Sequence, residues 1–256
     1  MTQFADWCEE YEKKISVHML TQFCAKPTQL KLAQKLVTAA LPGYYTKSSR
    51  VAGILTRLGK KAAAKYIAGK LSTSKSIRSG DLGEVLCNAF ITEMTPFKQG
   101  IRRLRWKDHR DMSMRGEDVL GFRFDSQGSL QVVKVEVKSG ASMTTATIEK
   151  AREGLCGYGG LPSPHALSFV ADRLSESKTD KALVDALDEV TLIKKLKKSQ
   201  VTHILFTFSG NDPWNLLEVN LTSYAAKPRA VKQRYVSLQV KEHQKFIRSV
   251  FDSVGK

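Results

Sequence analysis

One run of the sequence, Asp118–Lys138 (DVLGFRFDSQGSLQVVKVEVK), constrains its own folding more than any other. Two apolar, β-branched stretches flank a five-residue polar connection, Asp125–Ser129, which contains Gly128, and this pattern predicts a β-hairpin. Setting Phe124 opposite Leu130 fixes the register of every other pair and brings Asp118 opposite Glu136. Side chains alternate along a strand, so Asp118, Leu120 and Phe122 share a face with Val132, Lys134, Glu136 and Lys138. Val133, Val135 and Val137 point the other way, into a core. Carboxylates opposed at about 5 Å between Cβ atoms repel each other. A divalent cation between them would remove the conflict, with Lys138 one step along the same face.

The rest of the chain reads as elements that could frame such a hairpin. Residues 1–75 read as helical: Leu30, Ala33, Leu36, Val37 and Leu41 recur at helical spacing up to Pro42–Gly43, and Val51, Ile54, Leu55 and Leu58 continue a second helix. A catalytic region, 76–256, follows this basic helical one. It opens with SGDLGEVLCNAFI (Ser79–Ile91), read as a helix capped by Asp81. A short strand is expected at Ile101–Trp106, a polar loop at Asp108–Gly116, a helix at Thr144–Cys156 and a longer helix at Asp180–Lys198. Val201–Phe208 and Leu216–Tyr224 read as strands, Val236–Val240 as an edge strand, and Phe246, Ile247, Val250 and Phe251 as the stripe of a closing helix. The fold class is therefore α/β, a small mixed sheet flanked by helices and preceded by a helical region.

Charge says which partners suit this chain. The net charge is +16, and from Lys13 to Gly80 there is no Asp or Glu among the many Lys and Arg residues. That is the electrostatic footprint of a nucleic-acid partner, although an acidic protein or an anionic membrane would also fit. Cys8, Cys24, Cys87 and Cys156 are scattered, which argues against a disulfide framework or a zinc knuckle. The polar N-terminus and the lack of a long apolar run predict a soluble, cytoplasmic protein.

Each candidate residue has a plainer rival role. Glu136-x-Lys138 by itself is common on exposed strand faces; Asp118 raises its weight by arriving on the right face and in register. Glu84 fits a capping box with Asp81 as well as it fits a metal ligand. Arg103, Arg105, Lys107, Arg110 and Arg115, with Arg102, form a basic approach suited to phosphate contacts. Lys134 shares the acidic face and could touch a phosphate, or simply be a surface lysine. His109 reads as a solvated loop residue. Trp106 could stack on a base, with core packing the commoner role. Glu149 and Glu153 could face the metal, with ion pairing to neighbouring cations as the default.

The set Glu84, Asp118 and Glu136-x-Lys138 resembles the PD-(D/E)xK phosphodiesterase superfamily. The longer strings SGDLGEVL (Ser79–Leu86), LRWKDHRDMSMRGEDVLGF (Leu104–Phe122) and VEVKSG (Val135–Gly140) are similar to the HamA family, the nuclease subunits of Hachiman anti-phage defence systems. The resemblance is strongest over Ser79–Gly140. It implies a DNase that acts with a superfamily 2 helicase (HamB-like) and is restrained until that helicase senses DNA. It departs from the superfamily name at one point, with Glu117 where the proline would stand. On this reading Asp118 and Glu136 bind Mg²⁺ (or Mn²⁺), helped by the Val137 carbonyl and Glu84, and Lys138 orients the attacking water. A non-catalytic nucleic-acid-binding adaptor of a helicase complex would use the same basic surface without the acidic set. The shared chemistry also leaves RNA cleavage open.

Overall fold

In the computed structural model, which describes residues 2–114, 116–226 and 231–255, the hairpin is one end of a larger sheet. Seven strands, β1 (Cys8–Ile15), β2 (His18–Ala25), β3 (Lys98–Gln99), β4 (Val119–Phe124), β5 (Leu130–Gly140), β6 (Val201–Ser209) and β7 (Lys232–Gln239), lie in the order β1-β2-β7-β6-β5-β4-β3. The four central strands, β2, β7, β6 and β5, run parallel, and an antiparallel hairpin closes each side. The β4–β5 register is the one read from the sequence, Val119 facing Val135 and Phe124 facing Leu130.

Helices cover both faces, as a sheet with buried central strands requires. On one face lie α1 (Phe4–Trp7), α2 (Leu30–Ala40), α5 (Lys75–Met94) and α10 (His243–Asp252), packed with Val133, Val135, Val137, Phe206 and Phe208. The other face carries α6 (Thr145–Cys156), α7 (Pro164–Glu176), α8 (Lys181–Asp188) and α9 (Trp214–Ala225), over Leu120, Phe122, Val132, Leu205 and Tyr235. The acidic face of the hairpin is therefore half core: Leu120, Phe122 and Val132 are buried, and only its β4 start and β5 end are left for polar side chains. Between these layers and the N-terminus, α3 (Pro42–Tyr45) follows α2 directly, and α4 (Ser48–Lys70) is kinked at Gly59, whose φ of 79° suits a residue without Cβ.

Several elements differ from the sequence reading. Apart from the one-turn α1, the helices of the N-terminal region lie between Leu30 and Lys70, and the first 25 residues contribute β1 and β2, joined through Ser16 and Val17, to the same sheet. Strand β1 (CEEYEKKI) is an edge strand whose charges keep it from pairing outward, so its sequence lacks the apolar alternation of a core strand. Ile101–Trp106 is not a strand: Arg103–Trp106 forms a 3-10 turn, and the short strand β3 precedes it. Leu216–Tyr224 lies in helix α9, where Leu217 and Leu221 are buried four residues apart. Strand β7 is not at an edge, because β2 pairs with its far side. The expected helix at 180–198 ends at Ile193, and α7 was not foreseen. No helix among the described residues is long and apolar enough to cross a membrane.

Candidate active site on the hairpin

Asp118 immediately precedes β4, and its carboxylate closes the hairpin. The Val137 N–H donates to Asp118 Oδ2 at 2.8 Å, so the Asp118 side chain caps β5 one residue beyond Glu136. In a strand the N–H and C=O of one residue leave on the same side, so the Val137 carbonyl faces the same region. Lys138 Nζ donates to Glu136 Oε1 at 2.6 Å. Burial raises the Glu136 carboxyl above its ordinary range, and the Asp118 charge raises it further while Lys138 pulls it down. Burial likewise raises Asp118, against the pull of Arg103 and of the Val137 N–H. The structure thus brings Asp118, Glu136 and Lys138 together.

Two glycines make room for this arrangement. A Cβ on Gly83 would stand 3.1 Å from Val137 Cγ1 and from Ser139 Cβ, so its absence lets α5 lie directly on β5. A Cβ on Gly154 of α6 would come within 2.8 Å of Glu136 Oε2, so that helix shapes the space the carboxylate occupies. Glu149 and Glu153 on α6 are exposed.

Glu84 sits in the body of α5, whose N-cap is Ser74, so the capping box with Asp81 is absent. The helix runs through Ser79 and Gly80 instead of starting after them. Glu84 is met by Arg103: Nε donates to Oε2 at 3.0 Å and Nη2 to Oε1 at 2.9 Å, a bidentate pair. Arg103 Nη2 also approaches Asp118 Oδ1 at 3.4 Å, and Nη1 donates to the Glu117 carbonyl at 2.6 Å. Burial pushes the Glu84 carboxyl up to about 7, yet both its oxygens accept from the guanidinium, which is the bonding of the ionised form.

The basic residues expected at a phosphate surface are mostly engaged within the chain. Besides Arg103, Arg105 donates from Nε and Nη2 to the Gly43 carbonyl at 3.1 and 2.7 Å. Lys107 pairs with buried Asp81 at 2.7 Å, where the Tyr45 hydroxyl also donates. Lys134 is buried under the turn after α6; its ammonium donates to the carbonyls of Gly157 and Leu161, and burial lowers its pKa. Arg110 remains exposed beside Asp111, and Arg115 lies outside the described residues. This part of the sequence reads as a basic approach for phosphate because sequence does not show which carbonyls and carboxylates turn towards it.

Among the described residues, no three His, Cys, Asp or Glu side chains gather as a metal cluster. The arrangement offers instead two desolvated carboxylates, Asp118 and Glu136, beside a backbone carbonyl. Mg²⁺ and Mn²⁺ take hard oxygen donors, and Mg²⁺ is commonly held through one or two carboxylates while keeping several waters, so this donor set fits such an ion. The residues that sequence reasoning missed are Gly154 and Asn88, which lies four residues after Glu84 on α5. The i, i+4 spacing was the available signal for Asn88.

A sequence model of the HamA family matches residues 2–254. Among curated proteins the chain is similar to the Hachiman protein HamA of Bacillus cereus, with 27% identity over 183 residues, which make up 70% of this chain and 61% of that protein. The matched stretch therefore spans less than two thirds of the relative's length. Because the family match runs almost from end to end, the chain belongs to the HamA family.

Proposed function

We propose that this chain is a metal-dependent deoxyribonuclease that hydrolyses DNA phosphodiesters at Asp118, Glu136 and Lys138. Its place would be as the effector of an anti-phage defence system, working with a superfamily 2 helicase. The observation that carries the catalytic reading is a pair of desolvated carboxylates, Glu136 raised further by the Asp118 charge, with an ammonium beside them. A purely structural hairpin gains nothing from that repulsion. The defence setting and the helicase rest on the family and on the name of the similar Hachiman protein, and DNA as the substrate rests also on the net charge of +16.

Asp118 and Glu136, with the Val137 carbonyl, would hold Mg²⁺ or Mn²⁺. When bound, such an ion acidifies a coordinated water and neutralises charge on the phosphate. Lys138 has three N–H donors, of which Glu136 engages one; the others can orient the attacking water and bond a phosphate oxygen as charge builds there. Glu84 acts chiefly through Arg103, fixing the guanidinium so that Nη2 faces the Asp118 end of the site.

Plasmid cleavage tests this reading, with Mg²⁺, with Mn²⁺ and with EDTA, beside Glu136→Ala and Lys138→Ala. Metal-dependent nicking that disappears in both variants is expected; nicking retained by either would remove the site assignment. The ion pairs Lys138–Glu136 and Arg103–Glu84 already balance much of the site's charge, and that favours the adaptor as the second reading. An adaptor would bind DNA and leave the plasmid intact even with its helicase added.

A further inference from the structure

At Asp118 the site opens into a cavity of about 410 Å³. That lies within the roughly 300–1,000 Å³ of small-ligand sites. Its walls are the 3-10 turn with Arg103 and Trp106, Met112 and Met114 from the following loop, Phe169 of α7 and Asn88 of α5. Residues i and i+3 eclipse in a 3-10 turn, with about 2 Å of rise per residue. Trp106 therefore stands on the same face as Arg103, about 6 Å further on. Its ring meets Phe169 edge-on, with centroids 6.2 Å apart.

Asn88 closes the α5 side of the cavity. Its amide nitrogen donates to the Glu84 carbonyl at 2.9 Å, and a carbonyl can only accept, so the nitrogen end of the amide is fixed. Asn88 Oδ1 is then buried with no hydrogen-bond partner among the described residues. An acceptor in that condition costs about 1–3 kcal/mol, and with almost none of its surface open it lies behind the cavity wall and not in the opening.

We propose that this cavity is a nucleobase pocket, which takes the base adjoining the phosphate at Asp118 and stacks it on Trp106. The proposal rests on the nuclease reading above and extends it to the class of substrate. Every natural base presents a π-face that can stack on an aromatic ring, so the pocket accepts bases without choosing strongly among them. A base stacked inside a duplex cannot enter a walled cavity. The preferred substrate is therefore unpaired DNA, or a duplex that has been opened.

Fluorescence anisotropy of full-length Lys138→Ala protein in Mg²⁺ tests this, with the labelled strand checked to be intact. The probes are a single-stranded oligonucleotide, the same strand made abasic at successive positions, and its duplex. Base-aromatic stacking predicts that adding Trp106→Ala weakens single-strand binding about tenfold. The same change should leave the strand that is abasic at the pocket position unaffected, and Trp106→Phe should restore most of the loss. Equal loss on normal and abasic strands, or none on either, would overturn the pocket. Plasmid cleavage by the otherwise wild-type chain is read separately. If the base-dependent loss is found and cleavage is absent even with the helicase added, the nuclease reading fails and the pocket stands. Cleavage without the base-dependent loss gives the reverse.

Discussion

Arg103 is the residue whose removal should cost most at this site. Its guanidinium binds both oxygens of Glu84 in a pair with side chains only 11% and 12% exposed. Removing one partner of a buried pair leaves the other charge without compensation, typically at about 3–5 kcal/mol, whereas replacing both with apolar residues is often neutral. Arg103→Met should therefore lower urea stability by about 3 kcal/mol, and the double variant Arg103→Met/Glu84→Met should recover more than half of that. A single variant as stable as the parent would show that the pair does not hold α5 to the 3-10 turn. Gly154→Ala should behave in the opposite way. The new methyl meets only the flexible end of Glu136, and alanine is favoured over glycine inside a helix by about 1 kcal/mol. Thermal stability should hold or rise while cleavage falls at least tenfold, as the carboxylate is pushed from its place. Unchanged cleavage would mean that the position of Glu136 is not critical.

At the scale of elements, β6, β7 and the turn after α6 are locked together by His203. Its Nε2 donates to the Gly160 carbonyl at 2.7 Å, and Gln233 Nε2 donates to Nδ1 at 3.0 Å, which defines one neutral tautomer. Burial lowers its pKa from 6.5 to about 4, and His243 on α10 is lowered similarly. A base depressed by folding contributes stability that is complete above its unfolded pKa and is lost as pH falls. Each histidine should therefore cost about 3 kcal/mol between pH 6.5 and 4. Urea titrations across that range should show the loss, and His203→Gln should remove about half of the slope attributable to the two. An unchanged slope would place the acid sensitivity elsewhere. Elements also show what the sequence could and could not reveal. The β4–β5 register was legible because a hairpin is local and its arithmetic closes over a short stretch of chain. Leu216–Tyr224 reads as a strand because Val219 and Tyr224 suit one, although Asp212, whose Oδ1 accepts from the Trp214 N–H, is a helix start signal. The central place of β7 was not legible at all, since β2 reaches it from more than 200 residues away. Arg103 was assigned to a surface for a related reason, its partners lying on α5 and at the head of β4.

For the molecule as a whole, the net charge of +16 is unevenly available to a partner. Arg103, Arg105, Lys107 and Lys134, near the site, are bonded inside the fold, whereas Arg50, Arg57, Lys60, Lys61, Lys65 and Lys70 along α4 are exposed. If the basic charge serves DNA, its phosphate contacts should therefore come from α4 more than from the turn beside the catalytic carboxylates. Each lysine that neutralises a phosphate releases counterion and steepens the dependence of log affinity on log salt by about one unit. Lys60→Ala/Lys61→Ala should then weaken binding to a duplex of any sequence and flatten that dependence by about two units, while Arg105→Ala leaves the slope as it was and lowers thermal stability by leaving the Gly43 carbonyl only its bond from Arg102. Anisotropy titrations over a series of salt concentrations would measure both. A slope unchanged by the α4 substitutions would separate the basic helix from DNA and assign its charge to an acidic protein partner, which the paired substitutions should then release.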